Sequence, residues 1–180
     1  MKKYFSIIAF TLFALTSCSE DGPPGPEGPQ GPPGEDGLIG VIFETDGLNF
    51  TAENEYFELV GFPSDIEVFD SDVVLVYLLE GVEEGTGADI WSLLPQTFYL
   101  PDGELEYNYN FTSESVAIFL DGNVDLSTLS ADYTDNKIFR IVVVPAGFPN
   151  TSSVDVSNFN AVLNALHIEE QNIPSVNISE

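Results

Sequence analysis

Nucleophilic catalysis requires a nucleophile, a base and a group that orients the base. The chain has one cysteine, Cys18, and one histidine, His167, and it contains no Gly-X-Ser-X-Gly sequence. Glycine patterns that cradle dinucleotides or nucleoside phosphates are also missing from the sequence. His167 follows a predicted helix, where an imidazole can meet the last carbonyls. The sequence therefore predicts no catalytic residue, no cofactor and no enzyme.

Carboxylates are the most abundant reactive groups, with 30 Asp and Glu against 4 Lys and Arg and a formal net charge of −26. Neighbouring pairs such as Glu83-Glu84, Glu104 with Glu106, and Glu169-Glu170 are of the kind that hydrolyse glycosides. Because carboxylates are so common here, no pair stands out, and a hydrolase is the second alternative function. The same charge excludes nucleic-acid binding, which needs a basic face to replace the counterions of phosphates.

A partial calcium-binding pattern occurs at Asp121, Asn123 and Asp125, which occupy positions 1, 3 and 5 of a possible loop. An EF-hand loop has glycine at position 6, and Leu126 stands there in this chain. The pattern leaves two interpretations, an incidental Ca²⁺ site and a turn with solvated acids, and the second is favoured.

Aromatic residues cluster between positions 91 and 111. Exposed tryptophan and tyrosine on a sheet face stack on sugars or dock a peptide, and the same residues also suit the core of a β-sandwich. The core interpretation is favoured, and the candidate ligand-binding residues are Trp91, Tyr99, Tyr107 and Tyr109.

Two cations remain once an N-terminal signal is removed, and we expect each of them to pair with a carboxylate. They are Lys137 and Arg140, which three-residue spacing places on opposite faces of one predicted strand. Arg140 lies between two apolar residues and is the better candidate for a structural bidentate pair.

Residues 1–17 have the composition of a secretory signal. Lys2 and Lys3 form a basic start, and the apolar stretch from Tyr4 to Leu15 is too short to span about 30 Å of hydrocarbon as a helix. The following Leu15-Thr16-Ser17-Cys18 resembles the lipobox of bacterial lipoproteins, whose cysteine is acylated and becomes the first mature residue. Acylation accounts for a lone thiol in an exported protein and predicts an anchor in membrane lipid.

The three residues after the cysteine predict on which face of which membrane the anchored protein lies. Ser19, Glu20 and Asp21 resemble the acidic export signal of Bacteroidota lipoproteins, which directs them to the outer face of the outer membrane. We therefore predict a lipid-anchored protein that faces outward, with a solvated acidic stretch and a periplasmic orientation as alternatives. Removal of residues 1–17 leaves 30 acidic and two basic side chains, a formal charge of −28.

Residues 18–40 are predicted to form a tether that begins at the acylated cysteine. Its collagen-like period of three needs glycine because only glycine fits the axis of three packed polyproline II strands. A single stiff spacer, which reaches roughly 60 Å over 19 residues, is favoured over a trimeric stalk. A homotrimer through this segment is the alternative. The repeat places glycine at positions 22, 25, 28, 31, 34, 37 and 40.

Residues 41–180 are predicted to form one β-rich domain that is long enough to bury a core. The segment 72–80 is apolar on both faces, which indicates a central strand covered on each side. The sequence Leu100-Pro101-Asp102-Gly103 predicts a hairpin turn, because proline fixes φ and glycine allows a positive φ. The predicted strands are 41–43, 56–60, 72–80, 90–94, 97–100, 104–111, 115–120 and 137–144.

One helix is predicted over about 157–166, with Phe159, Val162, Leu163 and Leu166 at helical spacing and Ser157 as the N-cap. It should pack its apolar stripe on the β core. The predicted fold class is mainly β, an antiparallel β-sandwich with one C-terminal helix.

The lipobox, the Gly-Pro triplets and three later stretches resemble a family of collagen-like lipoproteins of the Bacteroidota. The stretches are DIWSLLPQTFYL (89–100), FLDGNVDLSTL (119–129) and FRIVVVPAG (139–147). The resemblance carries over no site residues. The expected function is a non-catalytic binding or structural interaction module at the cell surface, with an unknown extracellular protein or glycan as partner. A glycan-binding accessory lipoprotein for nutrient uptake is the first alternative.

Overall fold

A computed structural model describes residues 40–146 and 154–176. The predicted signal peptide, Cys18, the export signal Ser19–Asp21 and the glycine triplets before Gly40 lie outside the described residues. The predicted mainly β class is confirmed, because two sheets pack as a sandwich with one main helix near the C-terminus.

Nine strands and two α-helices form the described elements. The strands are β1 (Val41–Thr45), β2 (Phe57–Gly61), β3 (Val73–Val82), β4 (Asp89–Leu93), β5 (Gln96–Leu100), β6 (Gly103–Phe111), β7 (Ser115–Gly122), β8 (Phe139–Val144) and β9 (Ser175–Val176). The helices are α1 (Ala131–Thr134) and α2 (Phe159–Leu166), and 3-10 turns occur at Leu126–Thr128 and Glu170–Asn172.

The first sheet has the strand order β4-β3-β8-β1-β9, and the second has the order β2-β7-β6-β5. All pairs are antiparallel except β1 with β9. The predicted hairpin joins β5 to β6, with Leu100 opposite Gly103. All eight predicted strands agree with the structure to within two residues at each end, and the short β9 was not predicted. The last predicted strand begins two residues later than expected, at Phe139, which leaves Lys137 before it.

The core between the sheets is lined by alternate residues of facing strands, as period-two side-chain geometry requires. Phe139, Ile141 and Val143 of β8 point into this layer, while Arg140, Val142 and Val144 point to the other face of the first sheet. All six residues of β8 are buried. The strand predicted over 72–80 to be covered on both faces is β3, where every residue from Val74 to Leu78 is buried, and β8 beside it is enclosed in the same way.

Helix α2 covers the outer face of the first sheet with Phe159, Val162 and Leu163. The prediction of its start was two residues too early. Asn158 is the N-cap and accepts a hydrogen bond from the Ala161 N–H at 3.2 Å, while Ser157 donates both its N–H and its hydroxyl to Asp155. Asparagine and serine cap comparably well, so sequence alone did not separate them.

The end of α2 is also closed differently from the prediction. His167 adopts a left-handed conformation with a φ of 56°, and its backbone N–H donates to the carbonyls of Asn164 and Leu163. The capping thus comes from the main chain, in a position that usually favours glycine or asparagine.

Gly40, the last glycine of the triplet series, is buried against this helix. A Cβ at position 40 would lie 2.9 Å from Leu166 Cδ1 and closer still to Cδ2. A side chain at position 40 would therefore have to displace the flexible end of Leu166, which is only half-buried.

We expect Gly40→Ala to destabilise the domain by up to about 1 kcal/mol, because the added methyl must turn aside the half-buried end of Leu166. Gly61→Ala is the matched control, because nothing lies within 4 Å of a Cβ at that position. Urea unfolding of the two variants measures the difference, and equal midpoints would show that Leu166 yields without cost.

Three tyrosine hydroxyls are buried in the sandwich and donate to main-chain carbonyls. Tyr77 donates to Val156 at 2.5 Å, Tyr109 donates to Val74 at 2.9 Å, and Tyr107 donates to Tyr133. Burial is the main cause that raises the pKa of each of these phenols above its ordinary value.

These pKa shifts predict alkaline unfolding. The folded pKa lies above that of the unfolded chain, so the stabilisation is complete below about pH 10 and is lost as the pH rises further. Phenolate absorbance and circular dichroism recorded along one pH series should change together for these three tyrosines. Ionisation of all tyrosines before any loss of structure would contradict the prediction.

Candidate interaction surface

The outer face of the second sheet carries apolar side chains in two adjacent strands. Phe57 of β2 lies opposite Phe119 of β7, and Leu59 lies opposite Ala117. Phe57 is 41% exposed and Leu59 is 55% exposed, while the alternate residue Val60 is fully buried in the core. Strand geometry therefore turns Phe57 and Leu59 away from the core.

The next strand extends this surface with two amides. Asn108 of β6 lies opposite Phe119, and Asn110 lies opposite Ala117. We call this surface the outer platform. It consists of Phe57, Leu59, Asn108, Asn110, Ala117 and Phe119.

None of the six platform residues is charged, although the chain is strongly acidic. The nearest carboxylate along β6 is Glu106, which accepts hydrogen bonds from Thr97 at 3.2 Å and from Asn108 at 2.8 Å. Asn108 in turn accepts the Tyr109 N–H at 2.9 Å. The platform is thus an uncharged, partly apolar area with an ordered polar border.

Strand β2 is an edge of the second sheet. The Leu120 N–H donates to the Tyr56 carbonyl and the Phe62 N–H donates to the Glu114 carbonyl, each at 3.0 Å. Antiparallel strands alternate hydrogen-bonded and non-bonded pairs, so the main-chain groups of Leu59 point away from β7. The main-chain groups of Gly61 also point away from β7. The edge therefore leaves hydrogen-bonding groups beside the platform.

The four predicted ligand-binding aromatics do not share one surface. Tyr107 is fully buried in the core, so its proposed exposure is wrong and the core interpretation holds for it. Tyr109 is partly buried and tied to Val74. Tyr99 is 80% exposed on β5, whereas Trp91 belongs to the first sheet and packs beneath α2. Side chains alternate between the two faces of a strand, and the four aromatics are divided between two sheets, so they do not meet at one site.

The three predicted calcium ligands are each engaged in local structure. Asp121 accepts the Gly122 N–H at 2.7 Å, and Asn123 accepts the Glu104 N–H at 2.6 Å. Asp125 caps the 3-10 turn by accepting from the Ser127 N–H and hydroxyl, which lowers the pKa of its carboxyl. No group of three or more His, Cys, Asp or Glu among residues 40–146 and 154–176 is placed to hold a metal ion. The turn interpretation therefore describes this loop.

Arg140 is the most enclosed ionic group of the described chain, at 6% exposure. Its Nε donates to Glu44 at 2.9 Å and its Nη1 to Glu170 at 2.5 Å. The guanidinium carbon lies 4.0 Å from the centre of the Trp91 ring and 5.0 Å from that of Phe159. The expected pairing is confirmed, but two carboxylates share the fork where one bidentate partner was predicted.

Lys137 does not have the carboxylate partner that we expected. Its Nζ donates to the main-chain carbonyl of Asp132 at 3.0 Å, and the ion pairs of the described residues involve only Arg140. Partial burial is the main cause that lowers the pKa of Lys137, against the opposing effect of Asp132 and Glu80. Its role in the described structure is a main-chain contact.

An open cleft of about 410 Å³ lies where β4 meets the start of α2. Its wall includes Trp91, whose indole Nε1 is buried with no hydrogen-bond partner among the described residues. Asp155 accepts two hydrogen bonds from Ser157, which lower the pKa of its carboxyl and keep it ionised. This opposes a general-acid role for Asp155, which needs a raised pKa. The polar residues of the wall are Asp89, Asp155, Ser157, Asn158 and Asn160.

Comparison of the chain with protein-family models, with curated proteins and with solved structures finds no match. Within the described residues, no helix has the length and apolar character needed to cross a membrane.

Proposed function

We propose that the protein is a cell-envelope lipoprotein, anchored in the outer membrane through acylated Cys18, whose domain faces outward as a non-catalytic interaction module. The observation that carries the proposal is the uncharged outer platform on a domain that is otherwise strongly acidic. Contiguous exposed apolar groups with a polar border mark sites of interaction between proteins.

The surroundings of the other polar groups support a non-catalytic role. The carboxylates of Glu106 and Asp125 accept hydrogen bonds from neighbouring side chains. Arg140 of β8 donates to Glu44 of β1 and to Glu170 in the 3-10 turn after α2, and so joins these three elements. These contacts stabilise the domain. The platform side chains Phe57 and Leu59, in contrast, remain exposed at a cost in hydration that a partner would relieve.

The anchor is tested by Cys18→Ala in the full-length chain. We expect cells fed labelled palmitate to label the native protein and to leave the variant unlabelled, because the lipid is joined through the cysteine. The variant should also leave the outer-membrane fraction for the soluble fraction. Equal labelling and equal fractionation of the two proteins would contradict lipid anchoring at Cys18.

A glycan is the second candidate ligand, and the cleft between β4 and α2 is the feature that favours it. Its volume of about 410 Å³ suits a small sugar, and its wall presents amide, hydroxyl and carboxylate groups that could bond sugar hydroxyls. Trp91 is the only tryptophan of the chain, so its fluorescence reports on this cleft.

Titration with neutral oligosaccharides tests this second candidate. Binding in the cleft should change the Trp91 fluorescence of the native protein, and Asn160→Ala should weaken the response. Tyr99→Ala is the control, since Tyr99 lies on the second sheet. Unchanged fluorescence with every oligosaccharide, or equal responses of the two variants, would reject the cleft as a glycan site.

A further inference from the structure

We propose that the open edge of β2 takes up an extended strand from a partner protein in which basic and apolar residues alternate. This deepens the proposed function and rests on it, because the edge borders the outer platform. The incoming strand would pair with the outward main-chain groups of Leu59 and Gly61. Its apolar side chains would cover Phe57 and Leu59.

The backbone of β2 fits this mode of recognition. Edge strands of natural proteins are commonly blunted with lysine, proline or a bulge, because free N–H and C=O groups invite another strand. Strand β2, with the sequence FELVG, has no lysine or proline, and its pairing with β7 runs without a register shift. Its one charge is Glu58, opposite Ile118 on the core side, which opposes an acidic or neutral strand but would pair with a basic residue of an incoming strand. The edge is therefore regular and available for strand addition, in which main-chain hydrogen bonds supply affinity.

The side chains of β2 specify the pattern of the partner. Phe57 and Leu59 point to the outer face, and Glu58 lies between them on the opposite face, partly exposed. Side chains of directly opposed residues share a face in a β-ladder. A basic residue opposite Glu58, flanked by apolar residues opposite Phe57 and Leu59, thus satisfies all three positions.

Charge decides between a foreign strand and a second copy of this chain. Pairing of β2 with another β2 would oppose the two Glu58 carboxylates when Phe57 pairs with Leu59, and like charges there are destabilising. In the register with Leu59 opposite Leu59, each Glu58 would lie opposite Val60 and gain no cation. Glu55 precedes the strand and Glu114 lies beside its end, so both approaches are acidic. A mature charge of −28 adds general repulsion between copies. The occupant is therefore a cationic strand.

The test uses the full chain in a nonionic detergent and fluorescence anisotropy of labelled peptides. The alternating peptide Lys-Val-Lys-Val-Lys-Val-Lys is compared with a block peptide of the same composition, four lysines followed by three valines. Because the two peptides have the same charge, general attraction to an acidic protein would give them the same affinity. Edge pairing should make the alternating peptide bind at least about tenfold tighter.

Two variants locate the contact. Leu59→Pro removes an outward N–H and leaves the hydrogen bonds between β2 and β7 in place. Glu58→Gln removes the charge but keeps the oxygen that accepts from Asn54 at 2.7 Å. Each variant should weaken binding of the alternating peptide by about three- to tenfold and leave binding of the block peptide unchanged. Because Glu58→Gln disturbs the backbone least, it decides the matter if the proline variant does not fold.

Ala117→Gln separates the failure of this inference from the failure of the proposed function, because it adds bulk to the platform on β7, one strand in from the edge, and leaves the outward main-chain groups of β2 unchanged. Weakened binding in Ala117→Gln alone would overturn edge pairing and leave the platform as a contact surface. Equal binding of both peptides to every variant would overturn edge pairing with a cationic strand and leave the proposed function to the Cys18→Ala test. If neither peptide binds and Leu59→Pro changes the self-association of the protein, the occupant of the β2 edge is a second copy of this chain and not a cationic strand.

Discussion

Arg140→Ala should destabilise the domain by about 2–3 kcal/mol, less than the cost of leaving a fully buried charge unpaired, because the Glu44 and Glu170 side chains are 27% and 48% exposed. The change leaves the Glu44 and Glu170 carboxylates without their cation and removes the group that stacks on Trp91. Domains commonly have a free energy of unfolding of about 5–15 kcal/mol, so the loss is a large part of the total. Urea unfolding followed by circular dichroism measures it.

Lys137 provides the control for this prediction, because it is the other cation of the described domain. Lys137→Met should cost no more than about 1 kcal/mol, since it removes a single hydrogen bond to a carbonyl. The loss in free energy of unfolding for Arg140→Lys should lie between those of Arg140→Ala and Lys137→Met, because a lysine keeps the charge but not the planar fork. Equal losses for Arg140→Ala and Lys137→Met would contradict a special role for the buried guanidinium.

Phe159→Ala should cost about 3–5 kcal/mol, since it opens a cavity under helix α2. The Phe159 ring is 5% exposed and lies 4.9 Å from that of Tyr77 and 5.7 Å from that of Trp91, measured between centroids. The indole should become more hydrated, so its emission should shift to longer wavelength. Urea unfolding and tryptophan fluorescence of one sample record both effects.

Phe69→Ala makes the same chemical change at a side chain that is 50% exposed, and it should cost less than about 1 kcal/mol. Arg140 and Phe159 are also coupled, because the guanidinium carbon of Arg140 lies 5.0 Å from the centre of the Phe159 ring. The double variant of Arg140 and Phe159 should therefore lose less than the sum of the single losses. A Phe159→Ala loss no larger than that of Phe69→Ala would show that α2 contributes little to the fold.

Much of the fold follows from local patterns. The run from Val73 to Leu78 and the run in β8 are apolar at every position or nearly so, and such runs identify strands covered on both faces. The helix followed from apolar residues at helical spacing. The pairing order of the strands and the short β9 depend on contacts between distant segments, which composition and period do not encode.

Strand β2 shows where period-two reasoning gives the wrong face. Phe57 and Leu59 alternate with Glu58, a pattern that normally turns the apolar pair inward. The structure turns both outward, because Val60 is the residue that packs with Val116 in the core. Since a shift of one residue exchanges the faces of a strand, the outer platform was visible only once the register was known.

The aromatic cluster failed as a single site for a related reason. Closeness along the chain placed Trp91, Tyr99 and Tyr107 within one region, but the first belongs to one sheet and the others to the second. Arg140 illustrates the opposite case. Its neighbours in sequence predicted a structural ion pair, and its partners Glu44 and Glu170 lie far from it along the chain.

The central claim, an outward-facing domain with an occupied platform, is tested by thiol labelling on intact cells. The lone native cysteine is consumed by the predicted acylation, so one added cysteine becomes the reporter. Leu59→Cys places it on the platform, and Glu84→Cys places it on an exposed turn of the first sheet. A membrane-impermeant maleimide is added to cells and, separately, to the purified proteins.

We expect both purified variants to react equally, since both sites are exposed. On intact cells Glu84→Cys should react fully, while Leu59→Cys should react several-fold more slowly because a partner covers the platform. Equal reaction of the two variants on cells would contradict an interaction at the platform. Reaction of neither variant until the cells are lysed would contradict display at the surface.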